Sequence, residues 1–470
     1  MKFISTRGNA PALSFDDVLL TGLASDGGLY VPEDWPELPK GSLKSFQNMR
    51  YEEAAFKIMR PFCADVIKDE DLFHIIENAY SAFDADSPAP LRDLGDGLHL
   101  LELYHGPTLA FKDIAMQFLG GMFDHILSVR NERVTIIGAT SGDTGSAAIE
   151  AVRGKDAIDI FMLHPKGRVS EVQRRQMSTV LDKNIHNIAL EGTFDDCQSM
   201  VKAMFGDADF RARHPLSAVN SINWARIMAQ IVYYITTAAK LGAPDNPVSF
   251  CVPTGNFGNV FAGYAAKRMG VPIQQFLVAS NSNDILTRFF KSGVMEMTGV
   301  EATTSPSMDI QISSNFERLL FELTGRDGDR VSTLMDQFKT SGRYEVSDSE
   351  LTEALELFKG ARYDDAAVEA EIKHHYTIHH NETGNLIDPH TAVAMAAARE
   401  HRSNLSVPMA VLSTAHPAKF GDTVKSATGI TPALPAHLSN LMDREERYDV
   451  LPNDLDQVKA YIDDIMESSA

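Results

Sequence analysis

Through the middle of the chain, short apolar runs rich in β-branched residues alternate with longer stretches whose apolar positions recur at helical spacing. The runs at 99–103, 134–137, 158–163 and 185–190 predict strands. The stretches at 146–153, 169–177 and 194–205 predict helices. Further on, strands are expected at 248–252 and 273–279 on either side of a helix at 261–269, with a last buried strand at 409–412. Strands alternating with helices predict parallel α/β layers.

The flanks read differently. Residues 1–95 are turn-rich, with helical patterns near 51–59 and 71–83, and the cluster at 84–90 reads as a connection. The run 324–329 carries two glycines and two aspartates and predicts a loop. Polar helices are expected from there to about His380, then a turn at 381–384. Asp388 and Pro389 predict the start of one more helix, as N-cap and first residue. No internal repeat or low-complexity segment is visible.

Composition narrows the function classes. The 470 residues are 44% hydrophobic and 23% charged, as in an ordinary globular protein. With 43 basic against 64 acidic side chains the net charge is −21. That balance argues against nucleic acid or an anionic membrane as partner. An anionic small molecule would need a local positive field. The three cysteines are far apart and form no metal or disulfide spacing. No apolar run reaches the roughly 18 residues of a membrane span. With a polar N-terminus that has no signal-peptide pattern, a cytoplasmic protein is expected.

Five segments could carry chemistry. The first contains Lys112, within His105-Gly106-Pro107-Thr108-Leu109-Ala110-Phe111-Lys112-Asp113. Read as a helix opening at Gly106 and Pro107, it surrounds Lys112 with Thr108, Leu109, Ala115, Met116 and Leu119. A desolvated lysine of this kind has a lowered pKa and suits Schiff-base chemistry. A core-helix lysine that snorkels to solvent fits the local text equally. The second is the turn at 138–146, with Ser141, Gly142, Asp143 and Thr144 between a strand and a helix. It has the N–H groups, hydroxyls and helix dipole of an anion site, but neither the lysine of a P-loop nor dinucleotide spacing. The third is the similar turn Gly255-Asn256-Phe257-Gly258-Asn259. The fourth, Asn220-Ser221-Ile222-Asn223-Trp224-Ala225-Arg226, supplies phosphate donors, or simply a capped helix with Arg226 on its surface. In the fifth, Ser413 and Thr414 end the last strand, where ligands of α/β sheets bind and a hydroxyl could meet a heterocyclic nitrogen. His374, His375, His379 and His380 include an i, i+4 pair, but the stretch is polar and lacks H-E-x-x-H, so no metal site is expected.

Taken together, these segments resemble the threonine synthase family of fold-type II pyridoxal phosphate enzymes, related to tryptophan synthase β. The matching text runs from 5–8 and 26–32 through 105–113, 140–145, 220–226 and 253–259 to 388–392 and 412–420. The resemblance implies two open, parallel-rich αβα sheet domains with an N-terminal α/β extension. The division would be an N-terminal domain at 1–95, a smaller cofactor and substrate domain at 96–215 and a larger pyridoxal phosphate domain at 216–470. It further implies that Lys112 holds the cofactor as a Schiff base and then moves protons. Residues Gly255, Asn256, Phe257, Gly258 and Asn259 would cradle the cofactor phosphate, and Thr414 or Ser413 would meet the pyridine nitrogen. Ser141, Asp143, Thr144, Asn220, Ser221 and Arg226 would receive the substrate. Asp143 stands where many fold relatives have Asn. The implied reaction is γ-elimination of phosphate from O-phospho-L-homoserine and β-addition of water, giving L-threonine, by a monomer or homodimer. A lyase that releases a keto acid, or a non-catalytic pyridoxal phosphate carrier, are the alternatives.

Overall fold

The computed structural model describes residues 1–217, 221–379 and 382–469. Its contacts divide the chain into two compact units, 1–115 with 221–433, and 116–220 with 434–470. This division cuts across the three consecutive segments expected from sequence. Residues 1–95 share a core with 221–433, and the last 37 residues, 434–470, fall in the second unit.

The first unit is built on a six-stranded sheet in the order Phe358–Arg362, Ile273–Ser280, Val248–Pro253, Met409–Ser413, Leu98–Glu102, Leu91–Asp93. Every neighbouring pair is parallel except the last, which is antiparallel. The central strands Val248–Pro253 and Met409–Ser413 are buried along their whole length, as strands covered on both faces must be. Helix Pro389–His401 lies against them with a small, alanine-rich face.

Helix Trp224–Lys240 is buried from Trp224 to Ala239, the mark of an internal helix. Its first residue explains why the N-terminal segment belongs to this unit. The Trp224 indole meets the rings of Phe3, Trp35 and Phe62 at 5.8, 5.9 and 5.7 Å. The fully enclosed Phe3 and Phe62 rings each contribute on the order of 2–3 kcal/mol through area removed from water, while Trp35 is half-buried. The hairpin of Phe3–Ser5 with Tyr30–Pro32 is thereby fixed to the core.

The second unit has five parallel strands in the order Asp449–Pro452, Ile185–Glu191, Ile158–Pro165, Val134–Ala139, Leu216–Ser217. Helix Leu455–Ser469 places Val458 and Ile462 in the same core as Phe161, Ile188 and Phe210.

Three expectations change. The region of polar helices before His380 contains a strand, Phe358–Arg362, at the sheet edge. The helices after the two glycine-rich turns begin inside them, at Asp143 and Gly258. The segment 106–111 is not helical, and the helix runs Lys112–Arg130. Leu109 has φ of +64°, which a right-handed helix does not allow. Among the described residues, no helix is long and apolar enough to cross a membrane.

Candidate functional site

In the first unit, the turn before Lys112 is bridged to the end of the last central strand. Phe111 N–H donates to Thr414 O at 2.9 Å, and His416 N–H donates to Leu109 O at 3.0 Å. These two bonds bring Lys112 beside Thr414, although they are about 300 residues apart in sequence. Lys112 is half-buried, not enclosed as the all-helix reading expected. Being the first helical residue, it has no preceding helical turn to cover it, and its Nζ lies 5.1 Å from the centroid of the Phe111 ring.

The bridged turn is braced from beneath by Asp113. Its carboxylate accepts from Thr108 N–H at 2.8 Å and from the Thr108 hydroxyl at 2.5 Å. The buried Lys419 donates from Nζ to Thr108 O at 2.6 Å. Burial pushes the Asp113 pKa up from 3.8 to about 6, against the pull of the Thr108 bonds and Lys419. The folded chain therefore holds this proton to higher pH than the unfolded chain. Between about pH 4 and about pH 6 it binds more protons, so stability falls as pH rises through that window, by up to about 3 kcal/mol. Asp113→Asn is expected to flatten this part of the curve of denaturation midpoint against pH. An unchanged slope would assign it to other groups.

Ser413 and Thr414 differ in what their hydroxyls are free to do. Asp388 caps helix Pro389–His401 by accepting from the N–H groups of His390 and Thr391. Its carboxylate also accepts from His390 Nδ1 at 2.8 Å and from the Thr391 hydroxyl. His390 Nε2 accepts from Ser307 N–H at 3.2 Å, which fixes the tautomer with the proton on Nδ1. Since Thr391 gives its proton to Asp388, the 3.0 Å contact of Thr391 with Ser413 must be donated by Ser413. Among the described residues, the Thr414 side chain takes no hydrogen bond, so it is the hydroxyl left to a ligand.

The 255–259 turn follows strand Val248–Pro253 and opens helix Gly258–Arg268. Among the described residues, its five N–H groups donate to no protein acceptor. A Cβ on Gly255 would stand 2.8 Å from Ser307 O, so only glycine lets that loop close on the turn. The side chains of Phe257 and Asn259 face inward. Phe257 packs on Phe316 at 5.0 Å, and Asn259 Oδ1 accepts from the hydroxyls of Tyr233 and Tyr234. Phe257 therefore offers only its backbone to a ligand, whereas Asn259 Nδ2 is buried with no hydrogen-bond partner among the described residues.

Ser221 is tied to this turn through Asn315, whose Nδ2 donates to Ser221 O at 3.0 Å and to Asn256 O at 3.1 Å. Arg226 is not on the surface: it is 3% exposed, and among the described residues its Nε and Nη1 have no hydrogen-bond partner. Burial pushes its pKa down to about 10. Asn220 lies outside the described residues.

Ser141, Asp143 and Thr144 belong to the second unit. There Thr140 Oγ1 accepts from the N–H groups of Gly142 and Gly145, both at 2.9 Å. Among the described residues, the N–H groups of Ser141 and Thr144, at the N-terminus of helix Asp143–Val152, donate to no protein acceptor. Asp143 is buried and accepts from Gln173 Nε2 at 2.9 Å. Gly142, at φ of +139°, leaves the space that Gln173 fills, since a Cβ there would meet its amide at 2.4 Å. Thr140, Gln173, Asn315 and the chain Asp388-His390-Thr391 were not among the expected site residues.

His380 of the His-rich stretch lies outside the described residues. His375 is fully enclosed and its ring lies 4.5 Å from that of His379. Among the described residues, no group of three or more side chains could hold a metal ion.

With these features in place, the relatives are informative. Residues 2–80 match the family described as Threonine synthase N terminus, 85–414 match Pyridoxal-phosphate dependent enzyme, and 391–462 match Threonine synthase, C-terminal. The threonine synthase of Pseudomonas aeruginosa is 56% identical, with 98% of each chain covered. The solved structure of PLP bound threonine synthase from Brucella melitensis superposes with a TM-score of 0.96 at 51% identity, covering 99% of each chain. Yeast threonine synthase superposes at 0.93 with 40% identity and the same coverage. The fold is thus the fold-type II one that the resemblance implies. The donor set suits pyridoxal 5′-phosphate: an amine at Lys112, a hydroxyl at Thr414 and, among the described residues, five open N–H groups at a helix N-terminus.

Proposed function

The chain belongs to the threonine synthase family of pyridoxal-phosphate-dependent enzymes, and on that premise we propose that it converts O-phospho-L-homoserine and water to L-threonine and phosphate, as a carbon–oxygen lyase. The observation that carries the reading is the backbone bridge that holds Lys112 beside Thr414. The bound cofactor supplies a carbonyl for covalent capture of an amine and a ring that accepts electron density.

The chain's own residues do the rest. The N–H groups of 255–259 would hold the cofactor phosphate, and the Thr414 hydroxyl the pyridine nitrogen. A neutral hydroxyl leaves that nitrogen unprotonated, where a carboxylate would not. The Lys112 amine would take the proton from substrate Cα. After proton loss at Cβ, the phosphate leaves Cγ. Protonation at Cγ, addition of water at Cβ and return of the proton to Cα complete the sequence, with Lys112 as the proton carrier at Cα. Arg226 and Ser221 offer donors to the phosphate of the substrate, and Asn220 would join them. Ser141 and Thr144 offer donors to its carboxylate at a helix N-terminus. Asp143, held by Gln173, would shape that turn.

A cytoplasmic location, as monomer or homodimer, is part of the proposal; all three cysteines are free and buried, which supports a reducing compartment. The test is phosphate release from O-phospho-L-homoserine with identification of the product. Threonine and phosphate in equal amounts are expected. Phosphate with 2-oxobutyrate and no threonine would mean a lyase that stops early. Cofactor binding without phosphate release would mean a carrier.

A further inference from the structure

Behind the 255–259 turn stand two buried side chains that the reaction does not use. Arg318, fully enclosed in helix Phe316–Leu323, donates in three directions. Its Nε reaches Tyr30 O at 3.0 Å, its Nη2 reaches Ile222 O at 2.5 Å and its Nη1 reaches Asn315 Oδ1. Its Cζ lies 5.8 Å from the Trp224 ring. Among the described residues, no carboxylate bonds to it, and burial pushes its pKa down to about 9 against the opposing charge of Glu317. Asn315, equally buried, passes the connection on. Its Nδ2 donates to Ser221 O and Asn256 O, and its N–H donates to Asn256 O at 3.0 Å.

A planar trans peptide points its carbonyl and the following N–H in opposite directions. Fixing the carbonyl of Asn256 against Asn315 therefore aims the N–H of Phe257 away from Asn315, on the opposite side of the peptide. Fixing Ser221 O and Ile222 O sets the peptide planes at the start of the 221–226 segment in the same way. One pair of side chains thus orients donors on two loops that the sequence separates by more than 30 residues.

We infer that Asn315 and Arg318 are a positioning pair for the phosphate end of the cofactor, setting the 255–259 turn and the 221–226 segment in register with each other. This rests on reading 255–259 as the phosphate turn. The inference also gives the N-terminal segment a task. The Tyr30 carbonyl is the third anchor of Arg318, and Thr6 and Arg7 hold the adjacent Glu317 through its carboxylate at 2.7, 3.1 and 3.0 Å. Hydrogen-bonded partners one layer out from a metal's ligands commonly tune its affinity about 10- to 100-fold, and the same scale is expected for donors set around a phosphate.

The test compares binding of pyridoxal 5′-phosphate and of pyridoxal to the full-length chain stripped of cofactor. The ratio of the two affinities isolates what the phosphate contributes, and a general loss of stability does not move it. In Asn315→Asp the side chain can still accept from Arg318 but cannot donate to Ser221 O or Asn256 O, so Ser221 O loses its bond and Asn256 O keeps only the backbone N–H of residue 315. The variant is expected to keep its thermal midpoint within a few degrees and to lose about 10- to 100-fold of the ratio. Asn315→Leu controls for the added charge and is expected to lose the ratio too. A wild-type ratio in either variant overturns the inference. If both fold poorly, Arg318→Lys, which keeps the charge but cannot span three acceptors, is read by the same criterion. Gly255→Val tests the premise separately. A wild-type ratio in that variant refutes the turn reading itself. Loss in Gly255→Val with retention in Asn315→Asp refutes the pair alone.

Discussion

Replacing Lys112 with alanine is expected to cut threonine formation by about ten-thousandfold or more, the scale on which removing a proton-transfer group with a covalent role acts. The fold should survive. Lys112 is half-buried at the first position of its helix, where alanine is a good helix former. The backbone bridge to Thr414 uses main-chain atoms of Phe111 and Leu109, not the lysine side chain. The brace beneath, Asp113 with Thr108 and Lys419, is likewise left in place. Borohydride reduction of the wild-type protein with its cofactor should attach the cofactor to Lys112, visible as a mass increase on that peptide. The variant should show no such tag and a thermal midpoint within a few degrees of wild type. Full turnover in Lys112→Ala, or a tag on another lysine, would remove Lys112 from the role proposed for it.

The parts of this protein that could be read from sequence are those whose cause is local. Strands such as Ile158–Pro165 and Val248–Pro253 are covered on both faces, so they spell themselves as nearly continuous apolar runs, broken only by Asp159 and His164 in the first and Ser249 in the second. Edge strands do not. Phe358–Arg362 carries Lys359 and Arg362 in exposed positions, and Asp449–Pro452 is mostly exposed or half-buried, so neither differs in composition from its surroundings. The turns at 138–146 and 255–259 were legible because glycines between a strand and a helix have few other uses. Their helices begin earlier than the apolar periodicity suggests, since the first turn of each lies within the glycine-rich turn itself.

The supporting residues were hidden for a different reason. Nothing around Asn315 or Arg318 marks them, because their partners lie 59 to 288 positions away in sequence. The same holds for Gln173, which meets Asp143 across 30 positions. Ser413 and Thr414 looked interchangeable as a pair of hydroxyls. Only the chain from Asp388 through Thr391 separates a committed hydroxyl from an open one. The unit boundaries were illegible in the same way. A tryptophan at 224 that gathers Phe3, Trp35 and Phe62 has no signature in the text near residue 3.

Arg226→Met is expected to move stability and activity in opposite directions. Arg226 is buried at the start of an internal helix, with two of its guanidinium nitrogens unpartnered among the described residues and burial alone driving its pKa down from 12.5 to about 10. A shift of that size corresponds to about 3 kcal/mol of unfavourable burial borne by the charged form. An arginine on the helix surface would carry no such cost. Methionine fills nearly the same volume without a charge, so the variant without ligand should unfold at a higher temperature than wild type. A bound phosphate dianion would supply what the guanidinium lacks, so added inorganic phosphate should raise the wild-type midpoint by mass action and leave the variant's nearly unchanged. Turnover efficiency on O-phospho-L-homoserine should meanwhile fall by about a hundredfold or more, the scale of losing a charged hydrogen bond to a phosphate in a buried site. A variant that loses both stability and activity would instead make Arg226 a structural residue. One that keeps its activity would remove it from the phosphate site altogether.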